Sequence, residues 1–541
     1  MEIQGKVASG GKALGVIYEV ASRSAAIDES TGHGKEESVR LYAALEQAKQ
    51  ALEVLAEEAR ERVGDGDGDI FLIHRLLLED EDYLAAAERS LAEGHTAEYA
   101  LESAKNHVMK LLTATGDALL IARCDDIRDI SRRVARYLSK SEEEVYPDHA
   151  FLYLAEDITP SEVLALDKTA CVGIVLKAGS LRSHAAILAT AMALPMLVEA
   201  RGISQVGGLT ALLDGERGCM IVSPSDAEQK AFLAWCEEKR HLEEKLAAFC
   251  DVSFSYPSGR RLTVAANVGS LAECERALKA GAEGVGLFRS EFLFMETPAM
   301  PSEEEQFQIY RRLVELTSPH RAVIRTLDIG ADKMPSWFSM AKETNPALGL
   351  RGIRLSLQHK ELFLPQLRAL LRASAYGNLV ILLPMVTSVS EVRAVRALLD
   401  ELREGLLASG VTVGHYTLGV MIETPAAALI ARRLCEEVRY FSIGSNDLTQ
   451  YTLALDRENP RLSASEDPRH EAVLRLISET VAAAHEYGVT VALCGELAGD
   501  RALIEWLLSL EIDVLSLSAS RLLAVKERVA DFLQITEKDE I

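Results

Sequence analysis

The sequence predicts a multidomain α/β protein whose C-terminal half is a (β/α)8 barrel. The chain has 541 residues, which is enough for three or four domains of about 150 residues each. Its first part contains long segments with apolar residues at helical spacing, and its last part alternates short apolar strands with helices. Eight cysteines occur without any C-x-x-C pair, so structural zinc and a disulfide scaffold are both disfavoured.

The charge balance narrows the class of partner. The chain carries 58 Lys+Arg against 82 Asp+Glu, a formal net charge of -24. Such acidity argues against nucleic acid and against an anionic membrane surface, because both bind through clustered basic residues. No apolar run reaches about 18 residues, and residues 1–6 lack the features of a signal peptide. We therefore expect a cytoplasmic protein without membrane insertion.

An acidic helical block is predicted over residues 21–144. Leu41, Leu45, Ala48, Leu52 and Leu55 share one face of a long helix over 36–63. Further helical segments cover 70–92, 97–114 and 124–140, so the pattern predicts four helices packed together. Residues 53–82 hold eleven acidic and three basic side chains. This charge is explained by a solvated helix surface or by a docking face for a basic partner.

A small α/β domain is predicted to surround this block. Short apolar strands occur at 151–154, 173–176 and 220–222, with helical segments between them. A further strand at 15–18 completes the expected sheet, which makes the helical block an insertion. The proposed domain therefore comprises residues 1–20 plus 145–225, followed by a helical linker over 226–258.

The barrel is predicted over residues 259–541. Seven apolar segments indicate strands, and a weaker one lies near 353–357; the stronger segments are 263–268, 284–288, 322–327, 379–385, 417–422, 439–443 and 489–493. About eight parallel strands over this length suit a β/α barrel. An open doubly wound sheet is the alternative, although no G-x-G-x-x-G follows a strand.

Polar residues directly after these strands predict an active site. A barrel carries its catalytic residues at the C-terminal ends of its strands. The candidates are four arginines, two carboxylates and a thiol: Arg289, Arg325, Arg351, Arg457, Glu423, Asp447 and Cys494. Taken singly, each is explained by a surface ion pair, a helix cap or a buried thiol. Together they predict a substrate with phosphate and carboxylate groups, a Mg²⁺ ion on the two carboxylates, and a thiol that acts as proton donor or nucleophile.

A second candidate site lies in residues 179–189, where a glycine-containing loop enters an alanine-rich helix. Ser183 is placed to cap that helix, and His184 stands in its first turn. Backbone N–H groups and the helix dipole favour an anion there, so a phosphate carried on His184 would be stabilised. The alternative is a surface histidine near a helix start.

The sequence resembles the phosphoenolpyruvate–protein phosphotransferase family, Enzyme I of the bacterial sugar phosphotransferase system. The resemblance covers essentially the whole chain. It is densest in five barrel segments, at 286–295, 325–333, 345–351, 441–452 and 494–500.

The resemblance implies a role for each candidate residue. The family binds Mg²⁺ at the positions of Glu423 and Asp447 and phosphoenolpyruvate at those of Arg289, Arg325, Arg351, Arg457 and Asn446. Cys494 corresponds to the acid that protonates enolpyruvate, and His184 to the phosphohistidine on a swivelling domain. The helical block resembles the docking domain for the phosphocarrier protein HPr, with 125–130 as a local match. The resemblance also implies a homodimer formed through the barrel.

The phosphohistidine segment departs from the family pattern. Arg182 stands where the family has threonine, and Thr190 stands where it has arginine. We hypothesise that Arg182, with Ser183, supports the phosphate from the other side of His184, because one guanidinium is lost and one is gained in the same corner. The alternative is a specialised regulatory paralogue with weak or altered transfer.

Three other functions compete with this interpretation. Pyruvate phosphate dikinase and phosphoenolpyruvate synthase share the histidine domain and the barrel, but they need an ATP-binding domain for which neither length nor glycine-rich loop is found. A regulatory interaction protein would keep the fold without turnover. A lyase or aldolase barrel would leave His184 and the N-terminal half without a role.

Overall fold

The computed structural model divides into two compact units, Met1–Lys239 and Arg240–Ile541. At positions 34, 58 and 60–63 the structure describes the backbone but not the side chains. The residues described are 1–20, 34–63, 70–114, 123–139, 146–181, 183–203, 205–295, 297, 299–330, 334–335, 337–338, 340, 343–456, 459, 462 and 467–534.

An eight-stranded mixed sheet forms the body of the first unit. From one edge to the other, its strands are Glu2–Gln4, Cys219–Val222, Thr210–Asp214, Lys12–Glu19, Phe151–Ala155, Cys171–Leu176, Met196–Val198 and Lys6–Ser9. Lys12–Glu19 pairs in parallel with Phe151–Ala155 and antiparallel with Thr210–Asp214, so the opening strands belong to this sheet. The helices Pro160–Ala165 and His184–Ala191 connect its parallel strands. The exact domain boundaries remain a prediction.

The helical block contains five described helices: Gly34–Val63, Ile70–Leu77, Glu81–Ala92, Ala97–Ala114 and Cys124–Ser139. Leu41, Leu45 and Leu52 are buried along the first of them, as the spacing predicts. The prediction of one helix over 70–92 is wrong, because Asp80 caps a new helix. Its Oδ1 accepts hydrogen bonds from the backbone N–H groups of Asp82 and Tyr83, each at 3.0 Å.

The helix Asp226–Ala247 occupies the predicted linker and contains no buried residue. Just after it, a buried lysine holds a loop within the second unit. Lys526 Nζ donates hydrogen bonds to the carbonyl oxygens of Cys250, at 2.7 Å, and Val252, at 3.2 Å. These bonds give the buried ammonium group the acceptors that it needs.

The second unit is a closed parallel barrel. Its eight strands are Arg261–Val268, Gly284–Arg289, Arg321–Arg325, Asn378–Leu383, Tyr416–Ile422, Tyr440–Gly444, Thr490–Cys494 and Val514–Leu517. The first strand pairs with both the second and the eighth, which closes the sheet. The barrel prediction is thus confirmed, and the open sheet is excluded. A short strand, Phe254–Ser255, pairs antiparallel with the first.

One strand assignment in the barrel is wrong. Residues 353–357 lie in the helix Gly352–Gln358, and the eighth strand is instead Val514–Leu517. Ile353 and Leu355 are buried, so their apolar character comes from helix packing. A short apolar run does not distinguish a buried strand from a buried helix segment.

Helices connect the barrel strands, and two of them, Glu291–Met295 and Ser445–Leu453, contribute residues to the cavity at the strand ends. The described helices are Leu271–Lys279, Glu291–Met295, Glu303–Thr317, Gly352–Gln358, Lys360–Ala373, Val389–Ala408, Pro425–Leu429, Ala431–Cys435, Ser445–Leu453, Glu471–Glu486, Ile504–Ser509 and Leu522–Leu533. Short 3-10 turns are Pro346–Leu348, Ser374–Tyr376, Glu496–Gly499 and Ala519–Arg521. Across the helices that the structure describes, none combines the length and the hydrophobicity needed to cross a bilayer.

Candidate active site

A cavity of about 740 Å³ opens at the C-terminal ends of the barrel strands. It brings together six residues that the sequence singles out: Arg289, Arg325, Arg351, Asn446, Asp447 and Cys494. Five of them end a strand or follow it within three residues, because parallel strands deliver their carboxyl ends to one rim. Arg351 instead directly precedes the helix Gly352–Gln358. Arg457 lies outside the described residues.

Arg325 forms the centre of an ion-pair network in this cavity. Its Nη2 lies 2.6 Å from Oε1 of Glu291, and its Nη1 lies 3.0 Å from Oδ2 of Asp328. Burial opposes a charged guanidinium, but Glu291, Asp328, Glu423 and Asp447 outweigh it, and the pKa of Arg325 is raised. The side chain is therefore a permanent cation, held by carboxylates around it.

The other two described arginines differ in their surroundings. Arg351 Nη2 lies 3.5 Å from Oδ1 of Asp328. Arg289 lies over the ring of Phe292, with 4.9 Å between its guanidinium carbon and the ring centre. Its buried Nε has no hydrogen-bond partner within the described part of the chain. An anion in the cavity would supply that missing acceptor.

Glu423 and Asp447 follow neighbouring parallel strands, Tyr416–Ile422 and Tyr440–Gly444. Glu423 is fully buried, and its Oε1 accepts a hydrogen bond from the backbone N–H of Met385 at 2.5 Å. Its buried Oε2 has no partner among the residues described. Burial, together with repulsion from Asp328 and Asp447, raises the pKa of Glu423 to about 8. A cation would relieve this repulsion.

The residues present fit a divalent cation that is bound partly by protein carboxylates and partly by the substrate. No group of three or more His, Cys, Asp or Glu in the described regions is arranged to hold a metal alone. Mg²⁺ is usually bound by one or two carboxylates plus substrate phosphate and water, so this pair suffices. A side chain at Gly444 would crowd the pair, because an added Cβ would lie 3.0 Å from Oε2 of Glu423.

Cys494 lies at the end of the strand Thr490–Cys494 and is buried in the barrel interior. Its Sγ accepts a hydrogen bond from Oγ of Ser442 at 3.3 Å. The thiol in turn donates to the carbonyl oxygen of Ile443 at 3.4 Å. Burial raises the pKa of Cys494 to about 11, although the Ser442 bond acts in the opposite direction. A protonated thiol favours the role of proton donor over that of nucleophile.

Asn446 contacts the loop after Cys494. Its Oδ1 accepts a hydrogen bond from the backbone N–H of Glu496 at 3.1 Å. The Oγ of Ser445 donates to the carbonyl oxygen of Cys494 at 3.2 Å. These bonds tie two neighbouring strand ends together and orient the Asn446 side chain at the cavity wall.

His184 begins the helix His184–Ala191 in the first unit. Ser183 caps this helix, as predicted, and its Oγ accepts a hydrogen bond from the backbone N–H of Ala186 at 3.3 Å. The imidazole is 44% exposed, which leaves it accessible to a reactant. Thr190 Oγ1 donates to the carbonyl oxygens of Ala186, at 2.9 Å, and Ala8, at 3.2 Å. Arg182 lies outside the described residues.

Some lining residues escape the sequence reasoning. Arg521, Ser518 and Asn267 line the cavity but carry no motif of their own. Arg521 and Ser518 follow the strand Val514–Leu517, so recognition of that strand would have identified them. Glu291 pairs with Arg325 at the end of the neighbouring strand, although Arg289 is nearer to it in the chain.

Three family models match this chain. Residues 243–533 match the PEP-utilising enzyme, PEP-binding domain. Residues 4–123 match the PEP-utilising enzyme, N-terminal model, and residues 151–218 match the PEP-utilising enzyme, mobile domain. The largest match alone covers more than half of the 541 residues.

Curated relatives match over almost their whole length. The phosphoenolpyruvate-protein phosphotransferase of Geobacillus stearothermophilus is 38% identical over 97% of this chain and 92% of its own length. The enzyme of Priestia megaterium is 36% identical over 98% of this chain and 93% of its own length. The enzyme of Bacillus subtilis (strain 168) is 35% identical, over 98% and 94%. The chain therefore belongs to the family of the phosphoenolpyruvate–protein phosphotransferases.

Proposed function

We propose that this enzyme transfers the phosphoryl group of phosphoenolpyruvate to its own His184 and then to HPr or an HPr-like carrier. This would be the first step of sugar uptake by the phosphotransferase system. The observation that carries the proposal is one cavity lined by an arginine cluster, the carboxylate of Asp447 and the protonated thiol of Cys494, with the buried Glu423 on the neighbouring strand end. Use of phosphoenolpyruvate as phosphoryl donor requires groups that bind its anionic charges and a donor that protonates the enolpyruvate left behind.

The arginines would hold the substrate. Phosphoenolpyruvate is a compact anion with a phosphate and a carboxylate, which guanidinium groups bind bidentately. Arg325 and Arg351 are already oriented by Asp328, so little side-chain entropy is lost on binding. Arg289 contributes a buried N–H that lacks an acceptor among the described residues. We assign Arg457 and Asn446 to the same substrate site.

Glu423 and Asp447 would hold Mg²⁺. When bound, this ion neutralises charge on the transferring phosphoryl group, which is the main requirement of such reactions. The protein's own part is to supply two carboxylates just after adjacent strands, Glu423 buried and Asp447 half-buried at the cavity wall. Arg325 lies close enough to both carboxylates for its pKa to respond to them.

Cys494 would complete the reaction at carbon. The bond between phosphorus and the bridging oxygen breaks, an N–P bond forms on His184, and enolpyruvate is left. Its terminal carbon takes the thiol proton of Cys494 to give pyruvate, and the thiolate regains a proton from solvent. The raised pKa of Cys494, about 11, keeps the proton in place until the enolate forms.

His184 would carry the phosphoryl group on a swivelling domain. A neutral imidazole is the nucleophile, and N–H groups of the first helical turn stabilise the added phosphate. The phosphohistidine must meet both the barrel site and the carrier, so we propose a hinge-type motion with hinges near 144–150 and 224–260.

The helical block would dock the carrier. Ile73, Leu76 and Leu111 are exposed apolar side chains on its helices, and acidic residues such as Glu79 lie near them in the chain. Exposed apolar side chains together with the acidic excess of residues 53–82 suit a basic protein partner. We further propose a cytoplasmic location and a homodimer formed through the barrel, as the family resemblance implies.

The test of this function is a labelling experiment with the full chain. The protein is incubated with Mg²⁺ and phosphoenolpyruvate labelled in the phosphoryl group. We expect a stoichiometric, acid-labile and base-stable phosphoprotein, which is the signature of phosphohistidine. His184→Ala should carry no label. A label that survives in this variant would overturn the assignment, and so would an absence of labelling in the parent protein.

Arg182 provides a separate prediction. Thr190 is bonded to the backbone and cannot supply the positive charge that the family has at its position. If Arg182 supplies it instead, Arg182→Ala should slow phosphorylation of His184 by about tenfold or more, measured by rapid-quench labelling. Arg201→Ala, an exposed arginine of the same unit, is the matched control. Equal rates in both variants would rule out compensation by Arg182.

A further inference from the structure

A further arginine, Arg521, lines the barrel cavity. It ends the 3-10 turn Ala519–Arg521, which follows the eighth strand, Val514–Leu517. The end of this strand is fixed by its neighbour. Nδ2 of Asn267 donates a hydrogen bond to the carbonyl oxygen of Ser516 at 3.1 Å, and Oγ of Ser516 donates to Oδ1 of Asn267 at 2.6 Å. Arg521 therefore reaches the cavity from a firmly held part of the rim.

Arg521 differs from other cavity arginines in what balances its charge. Arg325 and Arg351 both lie beside Asp328, so part of their charge is already compensated by the protein. Arg521 is exposed and makes no hydrogen bond or ion pair with any residue that the structure describes. Its guanidinium group therefore keeps its N–H donors for a ligand or for water.

The carboxylates on this side of the cavity do not neutralise Arg521. Asp500 accepts hydrogen bonds from Nε and Nη2 of Arg469, at 2.7 and 2.8 Å, which occupy both of its oxygens. Burial opposes ionisation of Asp500, but the bonds from Arg469 outweigh it and Arg521 adds its charge from farther away, so the pKa of Asp500 is lowered. Glu496 also lines the cavity and does not pair with Arg521. The positive charge of Arg521 is therefore available to an anion.

Gly499 makes room for this arginine. A Cβ added at Gly499 would lie 2.9 Å from Cδ and 3.2 Å from Nη1 of Arg521. The end of the arginine side chain thus lies directly against the backbone of the turn Glu496–Gly499, in the loop that continues from Cys494. Packing and not a counter-ion sets the position of Arg521, so a bound anion would not have to displace a carboxylate.

We infer that Arg521 binds the carboxylate of phosphoenolpyruvate from the eighth-strand side of the cavity. The inference rests on the proposed function, because it names the partner of one group of that substrate. A carboxylate matches the planar fork of N–H donors on a guanidinium group, which can bind both of its oxygens at once. An arginine without a protein counter-ion suits this role, since no ion pair is lost when the substrate binds.

The order of functional groups around the rim supports this assignment. Asp447 follows the sixth strand, Cys494 ends the seventh and Arg521 follows the eighth, and these three strands are neighbours. The central carbon of phosphoenolpyruvate carries the bridging oxygen, the methylene group and the carboxylate in one plane, each directed away from the other two. With the phosphoryl group on the side of Asp447 and the methylene group beside the thiol, the carboxylate is directed to the rim beyond the thiol, where Arg521 lies.

The test compares two ligands in the full chain with His184→Ala as the background, because this variant cannot take up the phosphoryl group. Affinities for phosphoenolpyruvate and for inorganic phosphate are measured by calorimetry with Mg²⁺ present. Adding Arg521→Ala should weaken phosphoenolpyruvate binding about tenfold and leave phosphate binding unchanged, because phosphate has no carboxylate. Arg521→Lys should recover part of the loss, since lysine keeps the charge but lacks the planar fork. Equal weakening of both ligands, or unchanged binding of phosphoenolpyruvate, would overturn the assignment.

Arg501→Ala is the matched control, because Arg501 is an exposed arginine of the same unit that lies outside the cavity lining. It removes the same charge from the protein, so it should leave both affinities close to those of the background. A loss in Arg501→Ala as large as that in Arg521→Ala would show general attraction of anions and would contradict a specific contact.

Failure of the inference and failure of the proposed function are distinguishable. If Arg521→Ala selectively loses affinity for phosphoenolpyruvate but the parent chain takes no phosphoryl label, the binding assignment is correct and the proposed transfer is wrong. If the parent chain is labelled and Arg521→Ala binds phosphoenolpyruvate as tightly as before, the function stands and the assignment of Arg521 is wrong.

Discussion

Glu423→Gln is expected to reduce the rate of phosphorylation from phosphoenolpyruvate by about 10³-fold or more, the size of losing a principal electrostatic stabiliser of a transition state. Glutamine has nearly the same shape but lacks the charge that binds Mg²⁺. The Mg²⁺ dependence of labelling should weaken or vanish with the rate. Rapid-quench labelling over a range of Mg²⁺ concentrations measures both effects.

The same substitution is expected to stabilise the metal-free protein. The pKa of Glu423 is raised from 4.5 to about 8 in the fold, so the group is protonated in both states below about pH 4.5. Between pH 4.5 and about pH 8, Glu423 is ionised in the unfolded chain but protonated in the folded one. The free energy of unfolding therefore falls as pH rises through this range. Glu423→Gln removes this loss and should raise the melting temperature at pH 8 by at least roughly 2–4 °C, which corresponds to about 1 kcal/mol.

The control for both effects is Glu404→Gln, an exposed glutamate on the helix Val389–Ala408. It should alter neither the rate nor the melting temperature. Added Mg²⁺ should raise the melting temperature of the parent protein more than that of Glu423→Gln. A Glu423→Gln protein that turns over normally with Mg²⁺ would remove Glu423 from the metal site.

Cys494→Ala is expected to lower pyruvate formation by about 10²- to 10⁴-fold, the usual contribution of a positioned general acid. The substitution removes the proton donor but none of the charged groups that hold phosphoenolpyruvate. Binding of the substrate, measured by calorimetry, should therefore stay close to that of the parent protein. Steady-state release of pyruvate with a phosphoryl acceptor present measures the rate.

Cys435→Ala is the matched control, because Cys435 is another buried thiol of the barrel and lies outside the cavity lining. It tests whether loss of a buried sulfur alone disturbs the site. Comparable losses in both variants would show that the effect of Cys494→Ala comes from packing. An unchanged rate in Cys494→Ala would exclude the thiol as the acid.

The sequence predicted most of the barrel because its strands are continuous apolar runs bounded by turns. Seven of the eight strands follow from this pattern, and the exception is informative. Val514–Leu517 has only four residues and follows an apolar helix, Ile504–Ser509, with few residues between them. The apolar character of 353–357, in contrast, reflects helix burial. Composition of a short segment does not reveal whether its neighbours are strands or helices.

The candidate site was predictable where residues end a strand, and unpredictable where they depend on partners. The positions of Arg289, Arg325, Asp447 and Cys494 follow from their places along the strands. Which carboxylate pairs with which arginine does not, because neighbouring strands and loops meet only in the closed barrel. The pairing of Glu291 with Arg325 is of this kind.

The sequence by itself determined the fold class, the family and the set of reactive side chains, because these depend on local periodicity and on residue types in a fixed order. Only the tertiary structure decided the protonation states and ion pairs of the site. The raised pKa values of Glu423 and Cys494 arise from burial among groups that are distant in the chain. The meeting of His184 with Asp126, 58 residues earlier in the numbering, is likewise a product of packing, since desolvation and short-range contacts exist only once the elements have assembled.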